Sequence, residues 1–446
     1  MDPTTIGLVA FAVVLGLLAI RIPIAFALGA VAVGATFLIF AFRTGHFMPE
    51  RAIRATVSLV FSNSFDLVHS YDLSMIPLFI ALGHVAWRAG ITTEIYAAAR
   101  VWLARVPGGV AIASVAGCGG FSAISGSSIA CASTMGRICT PEMLRLGYDN
   151  RLATACVAAG GTLGSLIPPS VLFIIYGIFT ETSISQLFLA GVVPGLLSLA
   201  GYVAVIWIWT LRSPAIAPVP DEVLPMRDKL RVVAQAWPAL LLFVLIVGGI
   251  YGGLFTATEA AALSLLIATG VGLARRRFGL RDIVPMLRET AVNTAAIFLI
   301  AACAKIFVAF IALTGVSGGL VTAVGEAGLS QGMFLLLVVL VYLLLGMFLD
   351  PIGIMVLTLP LMVPMVESYG LNLIWFGVVT VKLLEIGLIT PPVGLNVFVL
   401  AGVLDEHVPI GRIFVGLIRF LAMDLVVLAL IVCIPALSLY VPATMF

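Results

Sequence analysis

Charge is what this sequence has least of. Only 10% of its 446 residues are Asp, Glu, Lys or Arg, against roughly 25% in soluble domains. The formal net charge is +2, and the charged residues are scattered at segment ends instead of gathered into a patch. A nucleic-acid-binding field is thereby excluded. Histidine is nearly as scarce: His46, His69 and His407 stand near predicted segment ends, and His84 is isolated. No His-Glu-x-x-His or Cys-x-x-Cys pair occurs. Intramembrane proteolysis or acyl transfer would need a serine with a histidine or lysine base, or a carboxylate pair, so the sequence predicts no enzyme, no cofactor and no resident metal. The six cysteines (Cys118, Cys131, Cys139, Cys156, Cys303, Cys433) lie in or beside apolar segments and read as reduced packing residues.

Apolar residues fill the space that charge leaves. They make up 62% of the chain, with a mean hydropathy of +1.22. A hydrocarbon core of about 30 Å needs about 20 apolar residues per helix, and about ten such runs follow one another here. The first, Thr5 to Ile20, has Asp2 ahead of it and no basic leader, and continues through Arg21 and Pro23 into the next run. It reads as a retained helix, not a signal peptide.

A shift of 223 residues superposes punctuation residues without a gap. Pro141 meets Pro364, Gly147 meets Gly370, Asp149 meets Asn372, Gly164 meets Gly387, and Pro168-Pro169 meets Pro391-Pro392. Two Pro-Pro pairs in one register predict a duplicated unit. The expected domains are a first repeat over 1–212, a cytoplasmic linker or arm over 213–235 and a second repeat over 236–446. Each repeat has a re-entrant hairpin (about 107–143; about 329–366) and a broken helix (about 148–181; about 372–403).

The irregular patches carry the chemistry. The first is GCGGFSAISGSS, Gly117 to Ser128, followed by the break GSLIPPS, Gly164 to Ser170; the second is GMFLDPIG, Gly346 to Gly353, followed by GLITPPVG, Gly387 to Gly394. Pro-Pro inside an apolar helix frees backbone groups. At membrane depth such groups must be buried in protein or line a wet cavity, so four elements of this kind predict a shared interior site. Ser122, Ser125, Ser127 and Ser128 interleave with Gly120 and Gly126, so one tip can offer neutral oxygens to a cation or helix N-termini to an anion. Close helix packing through small residues is the alternative for the serines. Asp350, matched to Ser127, is costly in hydrocarbon and reads as functional.

Other charges read less sharply. Thr256 and Glu259 have capping-box spacing or a functional role; Lys382 and Glu385, one turn apart, either neutralise each other or gate; Lys305 pairs with a carboxylate or snorkels. Arg100, Arg105, Arg137, Arg145 and Arg151 beside the first patch, and Arg275, Arg276, Arg277, Arg281 and Arg288 in the second half, predict cytoplasmic ends. Glu326 and Glu367 flank the second patch, predicting opposite entry and both termini outside. Arg43, Arg51 and Arg54 fit this only if Arg43 to Asp72 forms an amphipathic interfacial arm mirrored by Arg275 to Arg288. A channel or a purely structural membrane protein remains open on these features alone.

In family order, GFSAISGSSIACASTMG (Gly120 to Gly136), GSLIPPS, YGIFTETSISQLFLAGVVPG (Tyr176 to Gly195), TATEAAA (Thr256 to Ala262), GMFLDP and GLITPPVGLNVFV resemble the large membrane subunit of TRAP transporters, across nearly the whole chain. Ala257 departs from the family's more usual proline, and Cys118 interrupts a Gly/Ser-rich approach. The resemblance implies an all-α polytopic inner-membrane protein of inverted repeats, an elevator mechanism and sodium symport of a small organic acid. It also implies two partners, a small four-helix membrane subunit and a periplasmic substrate-binding protein. Ser125, Ser128, Gly160, Thr162 and Gly164 would bound one sodium, and Gly346, Asp350, Gly387 and Thr390 another. Ser125, Ser127, Ser170 and Asn396 would face the carboxylate. A stand-alone sodium-carboxylate symporter of the related two-hairpin fold is the alternative.

Overall fold

The computed structural model describes residues 3–42, 47–219, 225–404 and 408–444. Arg43, His46, His407 and residues 220–224 of the expected linker lie outside the described residues. Among those described, 84% are helical and none forms a strand. Seven helices are long and apolar enough to cross a membrane, or nine if each of two bent pairs is one span. About ten were expected, and three further apolar helices are shorter: Pro3–Ala19, Gly109–Ser125 and Gln331–Gly346, with 17, 17 and 16 residues.

Two helix-turn-helix units stand where the sequence placed its hairpins. The first joins Gly109–Ser125 to Ser128–Arg145, and the second joins Gln331–Gly346 to Pro351–Ser368. Each is followed by a helix in two pieces: Asn150–Leu166 with Val171–Thr180, and Leu373–Ile389 with Leu395–Val403. Helix ends keep the register of the prolines. Ser128 and Pro351, Arg145 and Ser368, Asn150 and Leu373, Leu166 and Ile389, and Thr180 and Val403 are each 223 residues apart. The matched residues Asp149 and Asn372 do the same job. Asp149 accepts from the Arg151 amide at 2.8 Å, and Asn372 accepts from the Ile374 and Trp375 amides at 2.8 and 3.2 Å, each capping its helix. The Arg151 guanidinium, bonded to both Asp149 oxygens at 2.9 and 3.0 Å, also holds that carboxyl below the usual carboxylate range.

Several charges resolve into structural roles. Thr256 and Glu259 form a capping box: the Thr256 amide and hydroxyl donate to Glu259 Oε2 at 2.8 and 2.9 Å, and the Glu259 amide donates to the Thr256 hydroxyl at 3.3 Å. Both residues are exposed. The arm expected over Arg43 to Asp72 is the helix Pro49–Val68, bent by 57° from Tyr71–Arg88. Its expected mirror over Arg275 to Arg288 does not form. Arg281 and Arg288 belong to the uninterrupted 35-residue helix Leu280–Thr314. Arg275 and Arg277 instead clamp the buried Glu94 of Ile91–Leu103, at 2.7 and 3.4 Å. The arm of the second half is Met226–Gln235, which buries no residue and bends by 45° into Trp237–Tyr251. All six cysteines are free.

Glycines set how closely the hairpins seat. A Cβ on Gly387 would lie 2.7 Å from the Gly346 Cα, and one on Gly346 would lie 2.9 Å from the Gly387 Cα, so two backbones touch there. Overpacking typically costs about 1–3 kcal/mol. Gly387→Val is therefore expected to lower the thermal midpoint of the detergent-solubilised protein. Gly270→Ala, where nothing lies within 4 Å, is expected to leave it unchanged or raise it slightly; equal behaviour of the two variants in a fluorescence-detected melting series would show that the contact is not confining.

Candidate functional site

The tip of the first hairpin is built by Gly126 and Ser127. Gly126 has φ +63°, and a Cβ there would lie 2.7 Å from the Pro169 carbonyl oxygen. The Val171 amide donates to the Gly126 carbonyl at 3.1 Å. The tip is therefore tied by its backbone to the Pro-Pro break. Ser127 then caps the returning helix, accepting from the Ala130 amide at 3.4 Å. Gly164 presses on the same point from below, because its Cβ would lie 2.7–2.9 Å from Ser127 C and O and Ser128 N.

This approach gathers oxygens. Ser128 Oγ lies 3.4 Å from the Thr162 carbonyl and is in short contact with Ser165 Oγ. Ser125 Oγ is buried with no hydrogen-bond partner among the described residues. Ser125, Ser128 and Ser165 line one cavity and Ser128 reaches the Thr162 carbonyl; of these, sequence reasoning missed Ser165. Its position one turn after Thr162 and three residues before Pro168 was the available signal. Gly160 stands two residues before Thr162 on the same helix, where its Cβ would meet Cys118 Sγ at 2.9 Å. The Thr162 hydroxyl also points elsewhere, bonding the Ala159 carbonyl at 2.7 Å and the Tyr202 phenol at 3.0 Å.

The second tip is looser. Asp350 caps Pro351–Ser368, accepting from the Gly353 amide at 2.9 Å. Thr390 donates its hydroxyl to the Ile386 carbonyl at 2.6 Å and its amide to the Gly387 carbonyl at 3.2 Å. Thr390 thus faces its own helix, whereas Asp350 commits one carboxylate oxygen to its cap. The two breaks differ in cover as well. Ile167 to Ser170 are buried, whereas Pro391, Pro392 and Val393 are exposed, as is Phe348 at the second tip.

A cavity of about 630 Å³ joins the two tips. Ser125, Ser127, Ser128 and Ser165 line it from one side and Asp350 from the other. Two helix N-termini, those of Ser128–Arg145 and Pro351–Ser368, open on it. Ser133, Thr134 and Arg137 continue the wall one and two turns beyond the first tip. Arg137 is exposed there, and no ion pair engages it among the described residues. Its sequence reading as a topology marker missed this role. The spacing Ala130, Ser133/Thr134, Arg137 puts all three on the face of one helix, which was legible. His84, Glu289 and Asn293 form the opposing wall, with His84 Nδ1 3.4 Å from Glu289 and Nε2 3.3 Å from Asn293 Nδ2.

Two expected substrate contacts do not reach this cavity. Ser170 is fully buried, and its hydroxyl caps Val171–Thr180 by accepting from the Phe173 amide at 3.2 Å. Asn396 is fully buried against Asn150–Leu166, donating to the Ala158 carbonyl at 3.4 Å with its Oδ1 unpartnered. The breaks they follow are packed inward, so both side chains serve the broken helices and not the cavity wall.

Comparison with known proteins agrees with this architecture. Residues 11–437 match the family model described as the tripartite ATP-independent periplasmic transporter, DctM component. The chain is 36% identical over 379 residues to the C4-dicarboxylate TRAP transporter large permease protein of Pseudomonas aeruginosa, covering 85% of this chain and 88% of that one. It is 30% identical over 430 residues to the sialic acid TRAP transporter large permease protein of Vibrio cholerae, covering 96% of each. In fold it is similar to the Alcanivorax borkumensis YdaH transporter, with a TM-score of 0.63 at 15% identity, over 92% of this chain and 97% of that one. A multi-span helical chain with two paired hairpin and broken-helix units, matched over nearly its full length, belongs to the DctM component family of tripartite ATP-independent periplasmic transporters, as a large permease subunit and not an enzyme.

Proposed function

We propose that this chain imports a small organic acid by sodium symport through an elevator mechanism across the bacterial inner membrane. In this reading a periplasmic binding protein delivers the substrate, and a small four-helix membrane subunit completes the permease. The two halves are inverted repeats, with both termini on the periplasmic side. The observation that carries this reading is the cavity between the two tips, where an unpaired guanidinium, hydroxyls and two helix N-termini face one space. An anion cannot cross hydrocarbon unaided. Arg137 would take the carboxylate through charge-assisted hydrogen bonds, and Ser127, Ser133 and Thr134 would replace its water.

Sodium would fill the neutral oxygen cluster of Ser125, Ser128, Ser165 and the Thr162 carbonyl, with Asp350 serving a second ion near Gly346, Gly387 and Thr390. Both relatives above are named for carriage of compounds that bear carboxylates. Coupling follows if sodium organises the tips before the acid binds, because the substrate site is then complete only in the loaded protein.

Uptake of labelled organic acids into proteoliposomes tests the reading, with and without an inward sodium gradient, adding the small subunit and candidate binding proteins in turn. Uptake that needs both sodium and a binding protein is expected; uptake by this chain alone would favour the stand-alone symporter. Hydrogen bonds to a charged group contribute about 1.5–3 kcal/mol, so Arg137→Ala is expected to raise the half-saturating substrate concentration on the order of tenfold or more, with Arg137→Lys between. Asp350→Asn should weaken the sodium dependence of uptake, and an unchanged sodium titration would remove Asp350 from the site. Ser125→Ala should impair uptake at unchanged expression, whereas normal uptake would reduce that serine to a packing role.

A further inference from the structure

Behind the tips lies a second polar cluster that the cavity does not reach. Lys382 and Glu385 on Leu373–Ile389, Asp424 on Ile410–Cys433, Tyr202 and Ser198 on Ile184–Arg212, and Thr162 on Asn150–Leu166 are all 0% exposed. The Lys382 ammonium sits among oxygens, 2.7 Å from Asp424 Oδ1, 3.1 Å from Ser198 Oγ and 3.4 Å from Glu385 Oε2. The Tyr202 phenol lies 2.8 Å from each Asp424 oxygen and 3.0 Å from the Thr162 hydroxyl.

The network's geometry joins two places. At one end Thr162 offers its carbonyl to Ser128 at the first tip. At the other, Lys382 and Glu385 stand within about two turns of Gly387 and the second break. The phenol has one proton, shared between Asp424 and the Thr162 hydroxyl, and the Thr162 hydroxyl has one, shared between the Ala159 carbonyl and the phenol, so the donor in the Tyr202–Thr162 contact depends on which partner each proton takes. Burying such ions costs several kcal/mol each, and removing one partner leaves the other uncompensated. Apolar residues would pack these four helices at no such cost, but could not link their positions through directional bonds.

We propose that Lys382 is a positioning residue: its ammonium is a resident cation that fixes Asp424 and, through Tyr202, the Thr162 turn, so that ion occupancy at the first tip and at the second broken helix is coupled. The inference rests on the sodium reading above. Coupling of this kind is reciprocal: an ion at either end tightens the other. A chain of bonds between two sites is not itself coupling, and the sodium titration decides it.

The experiment is thermal unfolding of the purified full-length chain against sodium chloride, with choline chloride holding ionic strength constant. The wild type is expected to gain stability with a cooperative sodium dependence. Tyr202→Phe cuts the link without stranding a charge; its half-saturating sodium concentration should rise on the order of fivefold and its Hill coefficient fall toward one. Lys382→Met should accumulate poorly. The double variant Lys382→Met with Asp424→Asn, which restores the formal charge balance, should accumulate again but keep the weakened cooperativity. A wild-type sodium titration in Tyr202→Phe, even with a lower midpoint in choline, would reduce the network to a structural role and overturn the inference alone. No sodium response in the wild type would overturn the sodium reading and the inference together.

Discussion

Backbone polar groups released inside a membrane need partners, and most of this molecule follows from where they find them. A Pro-Pro pair ends the regular hydrogen bonding of each broken helix. At the first break the answer is another piece of backbone: the Gly126 carbonyl takes the Val171 amide, and the absent side chain of Gly126 leaves room for the Pro169 carbonyl. The hairpin and the broken helix are thus one object. The serine oxygens between them are held by main-chain contacts, which move less than side chains do.

The same constraint explains why ionisable groups inside the protein concentrate in a few places. With 10% of the chain charged, any ionisable group away from water is expensive. Of the buried ones, Lys382, Glu385 and Asp424 form one network and Glu94 is clamped by Arg275 and Arg277, while the cavity has its own set in Arg137, Asp350 and the pair of His84 with Glu289. Elsewhere the helices meet through apolar side chains and glycine, as at Gly346 and Gly387.

Much of this was legible in the sequence because proline and glycine punctuate a helix wherever they occur. The Pro-Pro pairs located the breaks, and the register they share recurs in the helix ends at Arg145 and Ser368 and at Leu166 and Ile389. The Gly/Ser patch located the first tip, and Ser125, Ser127, Ser128 and Asp350 line one cavity as a group. Side-chain direction was not legible. Ser170 and Asn396 stand beside the breaks in sequence, yet local capping and inward packing turn them from the cavity. Asp424, 42 residues from Lys382, could not be paired with it by spacing, and a lone arginine such as Arg137 looks the same at a loop end as in a cavity wall.

The unequal cover of the two breaks has a kinetic meaning. The first, sealed by its hairpin, already holds its oxygens in place, so in the proposed sodium reading an ion arriving there would lose water but order little protein. The second, with Pro391 to Val393 and Phe348 in the open, would have more protein to order and more solvent to shed on binding. Preorganised sites bind at lower cost. Under the proposed sodium reading, the sealed end would load before the open one.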